Sequence, residues 1–171
     1  GDFRNYTYNQ TSWASVIANT ELFVAFGGVP LKNGKIGQGG VGCHIQRESV
    51  LAAHENGVKF ISISPLKSDT DDGVQATWLP IRPNTDTALV IALCHELLDK
   101  RLYDKNFLNH YTVGFDKFSE YLRGTLDGVA KTAQWAATIC NISADDICHL
   151  AVQMASHRTM VSLSWSLTRQ A

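Results

Sequence analysis

The sequence predicts an α/β fold, a mostly parallel sheet with helices on both faces. Three observations carry that expectation. Short apolar runs at residues 21–28 and 58–64 are cut off by glycine or proline, as buried strands are. Stretches with helical periodicity follow each of them, so strand and helix alternate along the chain. A further β-rich run, residues 159–165, comes after the helices, and strands joined through helices pair in parallel.

The elements follow in order. Ser12 opens a short helix in which Trp13, Val16 and Ile17 share a face. Residues 21–28 (ELFVAFGG) form the first strand, stopped by its glycines and by Val29-Pro30. Residues 32–42 are glycine-rich and read as loop. Residues 44–56 are helical, with Ile45, Val50, Leu51 and Ala53 apolar and Asn56-Gly57 as the stop. Residues 58–64 (VKFISIS) alternate as a second strand ended by Pro65, and residues 67–73 are polar and turn-like. Residues 77–82 (TWLPIR) make a short third strand, with Pro80 at an edge or strand end. Thr85 is placed to cap a strong helix carrying Ala88, Leu89, Ala92, Leu93, Glu96 and Leu97 at helical spacing. Residues 104–111, 115–122, 132–140 and 143–157 are further helices, the last with a capping Ser143 and an acidic first turn. The aromatic stripe of Tyr111, Phe115, Phe118 and Tyr121 reads as core packing.

Composition bounds the function. With 171 residues, 44% of them hydrophobic and 18% charged, the chain suits one globular domain spanning residues 1–171. The net charge is −1 with no block of Lys or Arg, which argues against a nucleic-acid partner. No apolar run approaches the roughly 18–20 residues of a membrane span, so none is expected. Cys43, Cys94, Cys140 and Cys148 form no C-x-x-C and no zinc spacing, and read as structural or free thiols. His95 and His149 lie inside helices and read as core or surface histidines, not metal ligands.

Residues 37–42 (GQGGVG) fit G-x-G-x-x-G literally, the signature of a loop that brings a helix N-terminus to a pyrophosphate. The context is poor. The motif starts nine residues after Gly28 and not at the strand end, and Ser64-Pro65 stands where a nicotinamide reader carries Asp or Glu. A glycine-rich surface loop is the better reading. A nicotinamide-dependent dehydrogenase domain and a non-catalytic α/β interaction domain remain as alternatives.

In open α/β sheets ligands sit beyond the carboxyl ends of the strands. The crests there are residues 27–33, 64–70, 82–86 and 164–170, each with hydroxyls, amides or a cation. Together they suit a large ligand with phosphates, sugar hydroxyls and a base. Along nearly the whole chain, FGGVPLKN, SISPLKSDTDD, WLPIRPNTDTALVIALCHELL, LYDKNFLNHYTVGFDKFSEYLRGTLDGVAKTAQWAA and HRTMVSLSWSLTRQ, with QTSW at residues 10–13, resemble the dimethyl sulfoxide reductase family of molybdopterin oxidoreductases. Within it they are most similar to the dimethyl sulfoxide, trimethylamine N-oxide and biotin sulfoxide reductase branch.

The resemblance implies an internal segment of a larger bacterial enzyme, similar to that family's third domain, a Rossmann-like α/β unit. It implies a bis(molybdopterin guanine dinucleotide) molybdenum cofactor, a sulfoxide or amine N-oxide substrate, and an electron donor such as a c-type cytochrome. The implied compartment is the periplasm, with the cytoplasm as alternative. By motif, Lys32 and Asn33 fall beside pterin and phosphates, and Ile63 and Ser64 beside the ribose. Asn84, Thr85 and Asp86 fall near the guanosine, and Trp165, Ser166 and Arg169 near pterin and pyrophosphate. Guanine offers two adjacent N–H donors that one carboxylate accepts together, and pyrophosphate takes cations and amides. Three of these residues also have a structural alternative: Asp86 as a first-turn acid favoured by the helix dipole, Lys32 as a solvated loop lysine, Trp165 as plain core. Ser64 stands where an acid or Asn is usual in the family, and Asn84 where Gly or Gln is common. No serine here matches the family's molybdenum-ligand motif, so no catalytic or metal-ligating residue is assigned and the segment is expected to be inactive alone.

Overall fold

The computed structural model describes residues 11–35 and 44–163. Four parallel strands, β1 (Leu22–Phe26), β2 (Lys59–Ile63), β3 (Thr77–Leu79) and β4 (Thr159–Ser162), lie in the order β3-β2-β1-β4. In register, Leu22 stands opposite Lys59 on one side and Thr159 on the other, and Ile61 opposite Thr77. The expected parallel arrangement of the first, second and last strands is therefore what the chain adopts.

Period-2 alternation sends the side chains of β1 to two different cores. Leu22, Val24 and Phe26 meet α3 (Asp86–Asp99), α6 (Ala133–Cys140) and α7 (Ala144–Ser156) through Leu89, Leu93, Ala136, Ile147 and Leu150. Phe23 and Ala25 face α1 (Trp13–Asn19) and α2 (Gln46–Glu55) through Val16, Val50 and Ala53. All five β1 residues are buried, as a strand covered on both faces requires.

Caps follow the sequence closely. The Ser12, Asp104, Thr132 and Ser143 side chains accept the N–H of Ser15, Phe107, Trp135 and Asp146 at 3.2, 2.9, 3.1 and 3.1 Å. Gly57, at φ +93°, carries the chain out of α2. Thr85 differs: it holds the N-cap position of α3, but its hydroxyl donates to the Arg82 carbonyl at 2.6 Å and caps nothing. The β2 alternation is also corrected. Ser62 is buried, because Thr70 Oγ1 donates to its Oγ at 2.8 Å, so a polar residue sits inside without an unmet bond.

The aromatic stripe does not form core as expected. Its positions lie on or beside α4 (Lys105–Tyr111) and α5 (Phe115–Leu122); Tyr111 is 77% exposed and Phe118 40%, while Phe115 and Tyr121 are half-buried. The helical spacing reports an apolar face, and says nothing of whether this chain covers it. Tyr121 is engaged differently, by a cation. The ammonium of buried Lys131 lies 4.5 Å from its ring centroid and 2.7 Å from Asp127 Oδ2.

Glu96 of α3 is the buried acid of the helical layer. Its Oε2 accepts from Lys100 Nζ at 3.0 Å and from Cys148 Sγ at 3.3 Å. Burial alone pushes this carboxyl up; the bonds from Lys100 and Cys148, the Lys100 charge and the Ala133 N–H outweigh it and hold the group below its ordinary value of 4.5. The ionised form is thus favoured by folding. Its contribution is complete above the unfolded value and fades as pH falls through the folded one. Urea titrations of the protein between about pH 3 and pH 7 are expected to show Glu96→Gln less stable by about 1 kcal/mol at neutral pH, with the difference shrinking below about pH 4.5.

Candidate functional site

Strand order reverses at β1. The chain passes from β1 through α2 to β2 on one side and returns, after β3 and the helical layer, to β4 on the other. Connecting loops therefore diverge outside the carboxyl ends of β1 and β4 and leave a crevice. A cavity of about 440 Å³ lies there, lined by Phe26, Gly27, Gly28, Lys32, Asn33, Asp69 and Ser162, with Trp13 and Phe23 on its wall. Trp13 and Phe23 are stacked, with centroids 6.0 Å apart.

The floor is a close contact between two crests. Gly28 has φ +69°, and a Cβ there would come 2.5 Å from the Asp69 carbonyl oxygen. Only glycine serves at this point. The neighbouring Val29 N–H donates to that same carbonyl at 2.8 Å, so β1 and β2 are stitched together beyond their last paired residues. Gly27 N–H adds a bond to the Ile63 carbonyl at 2.8 Å.

The residues expected beyond the strands are placed as follows. Lys32 and Asn33 stand exposed in a 3₁₀ turn, Leu31–Lys35, and both line the cavity. Ser64 is fully buried, and its Oγ donates to Asp69 Oδ2 at 2.5 Å. Ile63 contributes neither side chain nor carbonyl to the crevice: the side chain is in the core with Leu89 and Leu93, and the carbonyl is taken by Gly27. Asn84 is exposed at φ +67°, a left-handed turn position that Asn tolerates better than most residues. Asp86 begins α3 at the same carboxyl edge, past β3, outside the cavity. Burial pushes its carboxyl up, only partly offset by its own N–H, and among the described residues no cation pairs with it. Trp165, Ser166, Arg169 and the 37–42 glycine motif lie outside the described residues.

Asp69 is the residue that sequence reasoning missed. It lies within the second crest, but nothing in the string marks it from Asp71 or Asp72. Asp71 is spent on Arg47 at 2.9 Å and on the Gly73 N–H; Asp69 faces the crevice. His95, Cys94 and Cys148 sit in the helical layer away from the crevice, as expected, and His149 is exposed. Among the described residues no group of three or more His, Cys, Asp or Glu is placed to hold a metal.

An order-reversing parallel sheet with a glycine crest, a cation, an amide and a carboxylate at its switch point is an arrangement of the doubly wound α/β class, whose members hold ligands outside the strand ends. The family model for molybdopterin oxidoreductases matches residues 2–171, and the chain belongs to that family. It is 39% identical to a dimethyl sulfoxide/trimethylamine N-oxide reductase of Cereibacter sphaeroides over 94% of this chain and 19% of that protein. It is 37% identical to a trimethylamine-N-oxide reductase of Haemophilus influenzae over 94% and 19%, and 38% identical to a biotin sulfoxide reductase of C. sphaeroides over 99% and 23%. The chain thus spans about a fifth of the length of the curated relatives it matches. The solved structure of acetylene hydratase from Pelobacter acetylenicus superposes with a TM-score of 0.66 at 23% identity, over 86% of this chain and 18% of that one, a likeness of fold. No helix among the described residues is long and apolar enough to cross a membrane.

The crest contact makes a prediction about Gly28. Gly28→Ala adds a strained backbone and a clash with Asp69, and is expected to cost about 1–3 kcal/mol of stability. Gly57→Ala, where a Cβ meets nothing within 4 Å, is expected to cost about 1 kcal/mol, the strain alone. Chemical denaturation of the two variants side by side checks the difference; equal losses would show that the crest contact is slack.

Proposed function

We propose that this chain is the cofactor-gripping segment of a larger S- or N-oxide reductase, and that it holds one guanine dinucleotide of a bis(molybdopterin guanine dinucleotide) molybdenum cofactor. The observation that carries the reading is the crevice where strand order reverses, furnished with Lys32, Asn33 and Asp69. The donor set fits such a group. The Lys32 ammonium and Asn33 amide suit phosphate oxygens, and the glycine crest lets backbone approach closely. Asp86 is a half-buried carboxylate that no cation pairs with among the described residues, at the same edge. Such a group suits two adjacent donors on a base. Asn84 and Thr85 shape the turn that presents it. By motif resemblance, Trp165, Ser166 and Arg169 complete the grip on pterin and pyrophosphate.

When bound, the cofactor supplies reductive removal of oxygen from a sulfoxide or amine N-oxide; the protein binds, orients and shields it. Relatives named for these substrates support that class. The remaining polypeptide, a c-type cytochrome donor and a periplasmic setting belong to the same proposal.

Two measurements test it. In the full-length enzyme, Asp86→Ala is expected to weaken cofactor retention by about tenfold or more, because donors on the base are left unpaired; molybdenum and guanosine content after purification report it, and full occupancy would refute the role. The isolated segment, given cofactor and a reduced viologen, is expected to turn over neither dimethyl sulfoxide nor trimethylamine N-oxide.

A further inference from the structure

The acid that α/β dinucleotide folds place at the end of their second strand, where it takes the ribose hydroxyls, is missing from that position here. The strand-end residue is Ser64, whose hydroxyl is not free: it donates to Asp69 Oδ2 at 2.5 Å. Asp69 comes five residues later on the return of a short 3₁₀ turn, Lys67–Asp69, and its position is closely held. Its carbonyl receives the Val29 N–H at 2.8 Å, its N–H donates to the Leu66 carbonyl at 3.2 Å, and Gly28 packs on its backbone. Held this way, the residue lines the crevice together with Lys32 and Asn33. Only one carboxylate oxygen has a partner among the described residues, and no ammonium or guanidinium of those residues lies within ion-pair distance.

We propose that Asp69, anchored by Ser64, is the ribose reader of this site, and that it accepts the paired hydroxyls of a nucleotide sugar. The inference rests on the dinucleotide reading above. It moves the sugar contact from the strand end to the loop. A vicinal diol offers two O–H donors side by side, and a carboxylate is the side chain that takes both while still accepting from Ser64. Strands stand about 4.8 Å apart, so a carboxylate at the β2 crest lies one strand from the Lys32 side of the crevice, a sugar-to-phosphate reach. Ser64 itself is a positioning residue. Without its hydroxyl the Asp69 side chain is released to other rotamers.

The test uses the full-length enzyme and reads nucleotide, not turnover. Nucleoside monophosphate released by acid hydrolysis is measured per protein, before and after prolonged dialysis, for wild type, Asp69→Ala, Asp69→Asn and Ser64→Ala. Thermal unfolding of each protein prepared without cofactor separates binding from folding. Asp69→Asn keeps an oxygen for the Ser64 hydroxyl and the shape of the loop, so it is expected to unfold with wild type yet lose nucleotide about 10- to 100-fold faster, the scale of a charge-assisted bond. Asp69→Ala should lose it at least as fast, and Ser64→Ala by a smaller factor. Nucleotide held by Asp69→Asn as firmly as by wild type would overturn the inference and leave Asp69 a loop staple, while the dinucleotide reading stood. A wild-type enzyme carrying no nucleotide would overturn both.

Discussion

A strand paired on both edges and covered on both faces has only its two ends in contact with solvent or ligand, and β1 is in that position. Its backbone is bonded to β2 and β4, and its side chains are divided between two helical layers. The strand therefore cannot shift in register without pulling buried residues from both cores, which pins its carboxyl end. Everything at the crevice is measured from that end. Gly27 and Gly28 turn the chain away with positive φ, and the crest of β2 is drawn against them.

The same arrangement accounts for the polar groups held inside. A parallel sheet buried on both faces leaves little tolerance for an unmet donor, and each buried polar side chain near the crevice has a partner from the β2 crest. Thr70 meets Ser62 and Asp69 meets Ser64. These two bonds run between a strand and the loop that follows it, so the loop is built as an extension of the sheet. A rigid crest is what a binding site needs, since freedom lost on binding subtracts from affinity. Charge in the helical layer is handled separately, with Glu96 against Lys100 and Cys148, and Lys131 between Asp127 and the Tyr121 ring. Neither pair touches the crevice, which separates groups that hold the fold from groups available to a ligand.

Much of this was legible in the string. Strand and helix alternation, the breaks at glycine and proline, and the Ser143 cap depend on neighbours within a few residues, and local rules read them correctly. The crests after β1, β2 and β3 were found for the same reason, because a parallel sheet puts every strand end on one edge and sequence order alone identifies those ends. Family membership is also written in the sequence, through motifs spread over its length.

What the tertiary structure decided were matters of distance between residues far apart in order. Ser62 is only the polar member of an alternating run until Thr70 is seen to satisfy it inside. Ile63 reads as a site residue until the core claims its side chain. Tyr111 and Phe118 read as core until their side chains are found exposed. Asp69 is one of three nearby acids in sequence, and only the fold shows that Arg47 takes Asp71 while Asp69 is turned to the crevice. Sequence determined which elements exist and their order, because those are set by local conformational preference, while pairing trimmed the strands, the third from 77–82 to Thr77–Leu79. The pairing of one crest against another decided which side chains remain for chemistry, because a hydrogen bond is settled by ångströms in space and not by position along the chain.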